Sequence, residues 1–270
     1  MRPAGIATAL YGWMERFARD GIDWDWDSLY GACARSGVEA VETDPTLTKR
    51  AILDRLGLRV SASYIGMPLT PRFAELDVQE RVLPVAQRLA AAGGRVLVLN
   101  ADARGGGPAE PKTPSEVVRQ GENLSRIADL VAPLGLRIAL HNHADRYDRA
   151  AQDLESVIVH SDDAVGLCID TAWAIAAGHD PVAWAREHAL RVLAVHLRNQ
   201  SGPVPTDVLA EGELDLAGLL AALDGYEGWL TLELWHPDTM TPRMGMVEAV
   251  RASATLLREA VGTGSGQETR

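Results

Sequence analysis

The chain has 270 residues, 47% of them hydrophobic, and a net charge of −11, which supplies one sizeable core and has the wrong sign for a phosphate-rich partner, so no nucleic acid is expected. No run of about 18 uncharged apolar residues occurs, which argues against a membrane span. The N-terminus has no hydrophobic segment followed by a small-residue cleavage site, so a cytoplasmic location is expected.

Along the chain, short apolar runs alternate with amphipathic helical segments. GIATALY precedes a helix around WDSLYGACARSG, VEAVETD precedes TLTKRAILDRLG, and LRVSASYIGM precedes QERVLPVAQRLAAAG. RVLVLNAD leads into SEVVRQGENLSRIADLVAPLG, LRIALHNH into AAQDLESVIVHS, and VGLCID into a helix around PVAWAREHA. RVLAVHLRN and DLAGLLAALDG, then GWLTLELW and RMGMVEAVRASATLLREAV, complete the series. Gly37, Gly57, Gly94 and Gly135 stand between a helix and the next strand, where a left-handed residue ends helices. The strand runs are apolar nearly throughout, as strands covered on both faces are. Eight strand–helix units predict an α/β chain, a single (β/α)8 barrel over residues 1–261. The runner-up is a doubly wound sheet, which prefers a Gly-rich turn after its first strand that ALYGWMER lacks. Residues 262–270 are a Gly/Ser-rich tail expected to be disordered. The long stretch Ala103 to Pro114 reads as a loop. Cys33 and Cys168, without a CxxC, read as buried thiols.

In such a barrel the chemistry sits at the carboxyl ends of the strands. The second run ends with Glu42 and Asp44, the fifth with His141, Asn142 and His143, and the sixth with Asp170. The seventh ends with His196, Arg198 and Asn199, and the eighth with Glu233, then His236. His141, Asp170, His196 and Glu233 therefore come from four successive strands to one rim. Two imidazoles and two carboxylates suit one divalent metal ion: Mn, Co, Fe or Zn, with Mg less favoured. Each residue also has a plainer role open to it. Asp170 suits a helix cap, Glu233 an ion pair with an arginine, and Arg198 either a substrate contact or a structural pair. His143 suits a brace for the ligands or a substrate contact. Glu42 and His236 are rim candidates for substrate, and Trp173 and Trp235 either wall a sugar pocket or pack in the core. His160, His179 and His188 read as surface residues. No GxSxG, P-loop or GxGxxG is present.

GLCIDTAWAIAAGHDP, VLAVHLRN and EGELDLAGLLAALDGYEGWLTLEL resemble the xylose isomerase-like barrel superfamily, which includes sugar phosphate isomerases/epimerases, ketose 3-epimerases and inosose dehydratases. The resemblance implies a metal held by Glu, Asp, His and Glu from strands five to eight, at positions occupied here by His141, Asp170, His196 and Glu233. The first of these departs from the pattern, as do Trp173, where a His is frequent, and Asn199, where an Asp is. The resemblance implies a divalent-metal-dependent isomerase or epimerase acting on a small keto-sugar or polyol, through proton abstraction next to the carbonyl. Glu233 would be the base and His141 or His143 its counterpart. The alternatives are a dehydratase of a keto-polyol and a diverged, non-catalytic or accessory barrel. The more distant endonucleases hold three zinc ions with more histidines and a basic face, which the charge here opposes. Family members are often dimers or tetramers, so a homo-oligomer is an open expectation.

Overall fold

Each expected apolar run forms a parallel strand, and the eight close on themselves. In the computed structural model, which describes residues 2–102, 110–143 and 149–264, β1 (Gly5–Ala9) is followed by α1 (Tyr11–Arg19), α2 (Trp26–Arg35), β2 (Ala40–Glu42), α3 (Leu47–Leu56) and β3 (Arg59–Met67). Then come α4 (Val78–Arg81), α5 (Leu83–Ala91), β4 (Val96–Ala101), α6 (Pro114–Val131), β5 (Arg137–His141), α7 (Arg149–Ile158) and β6 (Val165–Asp170). The last part holds α8 (Thr171–Ala176), α9 (Pro181–Glu187), β7 (Val192–Leu197), a small hairpin of β8 (Gln200–Ser201) and β9 (Val204–Pro205), α10 (Leu216–Ala222), β10 (Trp229–Leu232) and α11 (Met246–Gly264). Around the barrel the order is β1-β10-β7-β6-β5-β4-β3-β2.

Strand side chains alternate between two faces, and here the faces differ in size. Leu97, Leu99, Ile138, Leu140, Leu167, Ile169, Val195 and Leu230 point outward and share one core cluster with helix residues such as Leu53, Leu89, Leu124 and Leu257. The inward positions Ala62, Val98, Ala139, Cys168 and Ala194 form a separate small cluster inside the barrel. Covering the strands on both faces is what makes their sequences continuously apolar.

Several details differ from expectation. The first strand is followed by an unforeseen helix, α1, whose buried side includes Trp13, Phe17 and the charged Arg16. A charge on the buried face breaks the apolar period, and Leu10 supplies no side-chain cap. The expected helix QERVLPVAQRLAAAG divides into α4 and α5, with Pro84 in the first turn of the second piece. Gly37, Gly57 and Gly135 have positive φ as expected, but after α5 that role falls to Gly93, at φ 82°. Gly94 is small for another reason: a Cβ there would lie 2.1 Å from Leu89 Cδ1. The last helix continues to Gly264, past the expected domain end at 261. Residues 103–109 of the long loop and 265–270 of the tail lie outside the described residues. Both cysteines are free and buried, and no described helix is long and apolar enough to cross a membrane.

Candidate metal centre

Two residues beyond the inner cluster, the same inward face carries long polar groups. Ala139 leads to His141, Cys168 to Asp170, Ala194 to His196 and Ala62 to Tyr64. Asp170 pairs with His196, while His141 pairs with Cys168 and Thr231 with His196, so the staggers of two residues at His141 and Glu233 are spanned by side chains. The four residues expected at the rim therefore meet. One ligand atom from each of His141, Asp170, His196 and Glu233 lies within 4.8 Å of all the others.

His141 provides the test of whether a cation fits. The residue is 2% exposed, and neither ring nitrogen has a hydrogen-bond partner among the described residues. An unpaired buried imidazole is costly. Its Nε2 instead stands 3.5 Å from Asp170 Oδ2 and 3.7 Å from Glu233 Oε2, too far for good hydrogen bonds. Ligands bound at about 2.0–2.2 Å to a shared ion lie roughly 3–3.5 Å apart. The N and O donor set suits a first-row transition ion, so the residues fit the expected group.

Without a cation the charges compensate one another. Burial pulls the His141 imidazole down, but the Asp170 and Glu233 carboxylates outweigh it and leave the ring above its ordinary value. His196 is raised further. Burial again opposes; the Cys168 sulfur comes next, but burial pushes that thiol up to about 11 and keeps it neutral. The holding charge on His196 therefore comes from Glu42 and Glu233. Burial works against the Glu233 carboxylate, yet His196, His141 and Arg198 hold it well below the usual range. Protons thus occupy the balance that a cation would take over on binding.

Asp170 fills the plainer role open to it, a helix cap, and also pairs with Arg198. Its Oδ1 accepts the Trp173 N–H at 2.7 Å, capping α8. Arg198 Nε lies 3.1 and 3.0 Å from its two oxygens, and Nη2 2.9 Å from Oδ2. The Arg198 guanidinium also lies 4.6 Å from the Trp173 ring and 6.0 Å from that of Trp235. Asn142 donates to the Asp170 carbonyl at 3.1 Å and accepts its N–H at 2.8 Å, tying the end of β5 to β6. His143, past the strand end, lies with its ring 4.0 Å from Trp173 and 6.1 Å from His141. Burial, then the charges of His141 and Arg149, lower it to about 4, so it is neutral at pH 7.

Other residues complete or leave the site. Trp173 and Trp235 stand 6.1 Å apart. Glu42 is buried, with Oε2 3.1 Å from His196 Nε2. His236 turns elsewhere: Nδ1 is 3.1 Å from Arg16 Nη1 and Nε2 3.2 Å from the Asp207 carbonyl. Asp44 is held by Arg88 at 2.7 and 2.8 Å. Two aromatics were missed in the sequence. Tyr64 lies 5.6 Å edge-on to His141 and 6.4 Å from His196, and Tyr11 lies 6.4 Å from Trp235. Tyr64 sits inside a nine-residue strand; its alternation with Ala62 was the available signal.

Residues 30–260 match the family model described as xylose isomerase-like TIM barrel. The chain is 26% identical over 239 residues to the rhizopine catabolism protein MocC of Rhizobium meliloti, covering 76% of this chain and 73% of that protein. It is 26% identical over 133 residues to the inosose dehydratase of Geobacillus thermodenitrificans (strain NG80-2), covering 42% of this chain and 45% of that one. Among solved structures it superposes on an L-ribulose 3-epimerase with a TM-score of 0.72 and 18% identity, covering 99% and 100% of the two chains. At that identity the likeness establishes the fold.

Proposed function

Because the chain belongs to the xylose isomerase-like TIM barrel family, we propose that it is a divalent-metal-dependent enzyme that isomerises or epimerises a small keto-sugar or keto-polyol. The observation that carries this reading is the buried His141 ring, whose nitrogens have no hydrogen-bond partner among the described residues and whose Nε2 faces two carboxylates at 3.5 and 3.7 Å. His141, Asp170, His196 and Glu233 would hold the ion. The chemistry it supplies is positive charge beside the substrate carbonyl, which acidifies the neighbouring C–H bond.

The chain's own groups then divide the work. Glu233, kept deprotonated by His196, His141 and Arg198, takes the proton from carbon. His143, neutral and set against Trp173, or His141 if it leaves the ligand set, provides the counterpart on the other side. Trp173 and Trp235 present ring faces to the apolar side of a sugar or cyclitol, and Arg198, beside both rings, positions Asp170.

A second reading, dehydration of a keto-polyol, is favoured by His141 itself. An imidazole in the place of a second carboxylate makes the two sides of the site unequal, as loss of water requires of an acid and a base. One experiment separates the readings. Metal-stripped protein is reloaded with Mn²⁺ or Co²⁺ and given ketohexoses and keto-inositols in D₂O, followed by proton NMR. Deuterium at the carbon beside the carbonyl with an isomeric product supports the first reading, and an unsaturated product the second. No exchange with any substrate, together with no metal uptake, refutes both.

A further inference from the structure

We propose that Glu42 is a positioning residue for the metal centre: it accepts the Nε2–H of His196 and so presents Nδ1 of that ring to the cation. The proposal rests on the reading that the four-residue cluster holds a metal, and deepens it.

The two nitrogens of His196 face different carboxylates. Nδ1 is 2.9 Å from Glu233 Oε2 and Nε2 is 3.1 Å from Glu42 Oε2. Glu233 belongs to the candidate ligand cluster and Glu42 stands outside it. Nδ1 is therefore the nitrogen on the cluster side. A neutral imidazole that turns a lone pair to a cation carries its proton on the other nitrogen. His196 is 0% exposed, and the Glu42 carboxylate lies within hydrogen-bond distance of Nε2. A carboxylate there fixes the tautomer and strengthens the ligand nitrogen.

The backbone carries an independent sign of this aim. β2 and β7 are not neighbours in the barrel, so strand pairing does not bring Glu42 to His196; the side chain crosses the interior. The register between β2 and β3 shifts between Val41 and Glu42, and such irregularities at barrel rims re-aim a side chain. The next residue is pinned. Thr43 bonds Ala62 O through its N–H at 3.0 Å and Tyr30 Oη at 2.9 Å, and its carbonyl accepts from Ser63 at 2.7 Å.

The test measures Mn²⁺ binding calorimetrically to the metal-stripped full chain, as wild type, Glu42→Gln, Glu42→Leu and Asp170→Asn. Glu42→Leu is expected to bind about 10- to 100-fold more weakly. Glu42→Gln should fall in between, since its carboxamide oxygen still accepts the Nε2–H. Melting of the metal-free forms checks that the variants fold. Histidine ¹⁵N NMR of the Zn²⁺-loaded wild type should show His196 protonated at Nε2 and metal-bound at Nδ1, a signature that a merely structural Glu42 would not set. If wild type binds Mn²⁺, Asp170→Asn weakens it and both Glu42 variants bind like wild type, this proposal alone falls. Metal found on Nε2 also overturns it. If wild type binds neither ion, the metal reading falls and takes this proposal with it.

Discussion

Replacing Arg198 by Met keeps the apolar stem and removes the guanidinium from Asp170. Both groups are buried, at 4% and 0% exposure, and their contacts run from 2.9 to 3.1 Å. Removing one partner of a buried pair leaves an uncompensated charge, typically at a cost of about 3–5 kcal/mol. For a chain of this size about 1 kcal/mol moves the melting temperature by about 2–4 °C, so the metal-free variant should melt about 6–20 °C lower. The Trp173 N–H on Oδ1 remains and supplies no full charge. A cation in the cluster would supply one, so saturating Mn²⁺ should stabilise Arg198→Met more than wild type and narrow the gap. At saturation the narrowing equals RT ln of the ratio of the two Kd values, so about tenfold tighter Mn²⁺ binding by the variant narrows the gap by about 1.4 kcal/mol, which paired thermal melts read. A metal-free loss below about 1 kcal/mol, or a gap that Mn²⁺ leaves unchanged or widens, refutes the reasoning.

Three further outcomes are expected. Asn142→Ala strands the N–H and C=O of Asp170 that its side chain satisfies; at about 1–3 kcal/mol for each buried group, urea denaturation should show the loss and Mn²⁺ affinity should fall with it. Gly12→Ala would set a Cβ 1.7 Å from the Leu234 carbonyl oxygen, beside Glu233, and such overpacking costs about 1–3 kcal/mol, so chemical denaturation should show lower stability and calorimetry weaker metal binding. His236 is lowered by burial and then by Arg16, against the opposing Asp207 carbonyl; Arg16 can only donate, so Nδ1 must accept and the folded ring stays neutral. The unfolded ring titrates near pH 6.5 and takes up its proton first, so this contribution to stability is full above that pH and lost as the pH falls below it. Stability measured from pH 7.5 to 5 should therefore decline less steeply in His236→Gln than in wild type, and parallel curves would refute the assignment.

The barrel was legible because its strands are covered on both faces and its helices end at glycines such as Gly57 and Gly135. The four candidate ligands were legible because each stands at the end of an apolar run, and His141, Asp170 and His196 follow the small inward residues Ala139, Cys168 and Ala194 by two positions. What escaped has local reasons. α1 hides its period behind buried Arg16, which is held there by Asp20, one helical turn on, at 2.8 Å and by the Met244 carbonyl, remote in the chain, at 2.9 Å. Tyr64 lies inside its strand, before the end at Met67, so a pattern of strand ends does not mark it. His236 matched the pattern of a rim residue, but its direction is set by Arg16 and Asp207, which no local spacing reports.

The strand-end motifs are runs of polar residues because each ligand needs a brace from its own neighbourhood. In HNH, His141 faces the cluster, and Asn142 closes the gap between β5 and β6 where the ladder ends. In IDTAW, Asp170 is a candidate ligand that its own helix start holds through the Trp173 N–H. In VHLRN, His196 enters the cluster, Arg198 balances Asp170, and Asn199 accepts the Gln200 and Leu214 N–H groups at 2.9 Å each. A ligand without a brace would be free to choose other rotamers, and a buried polar group without partners would cost stability. The departure at His141 fits the same logic: its neighbours Asn142 and His143 are bound to β6 and set against Trp173, which leaves the imidazole directed at the cluster by packing against Tyr64 and His196.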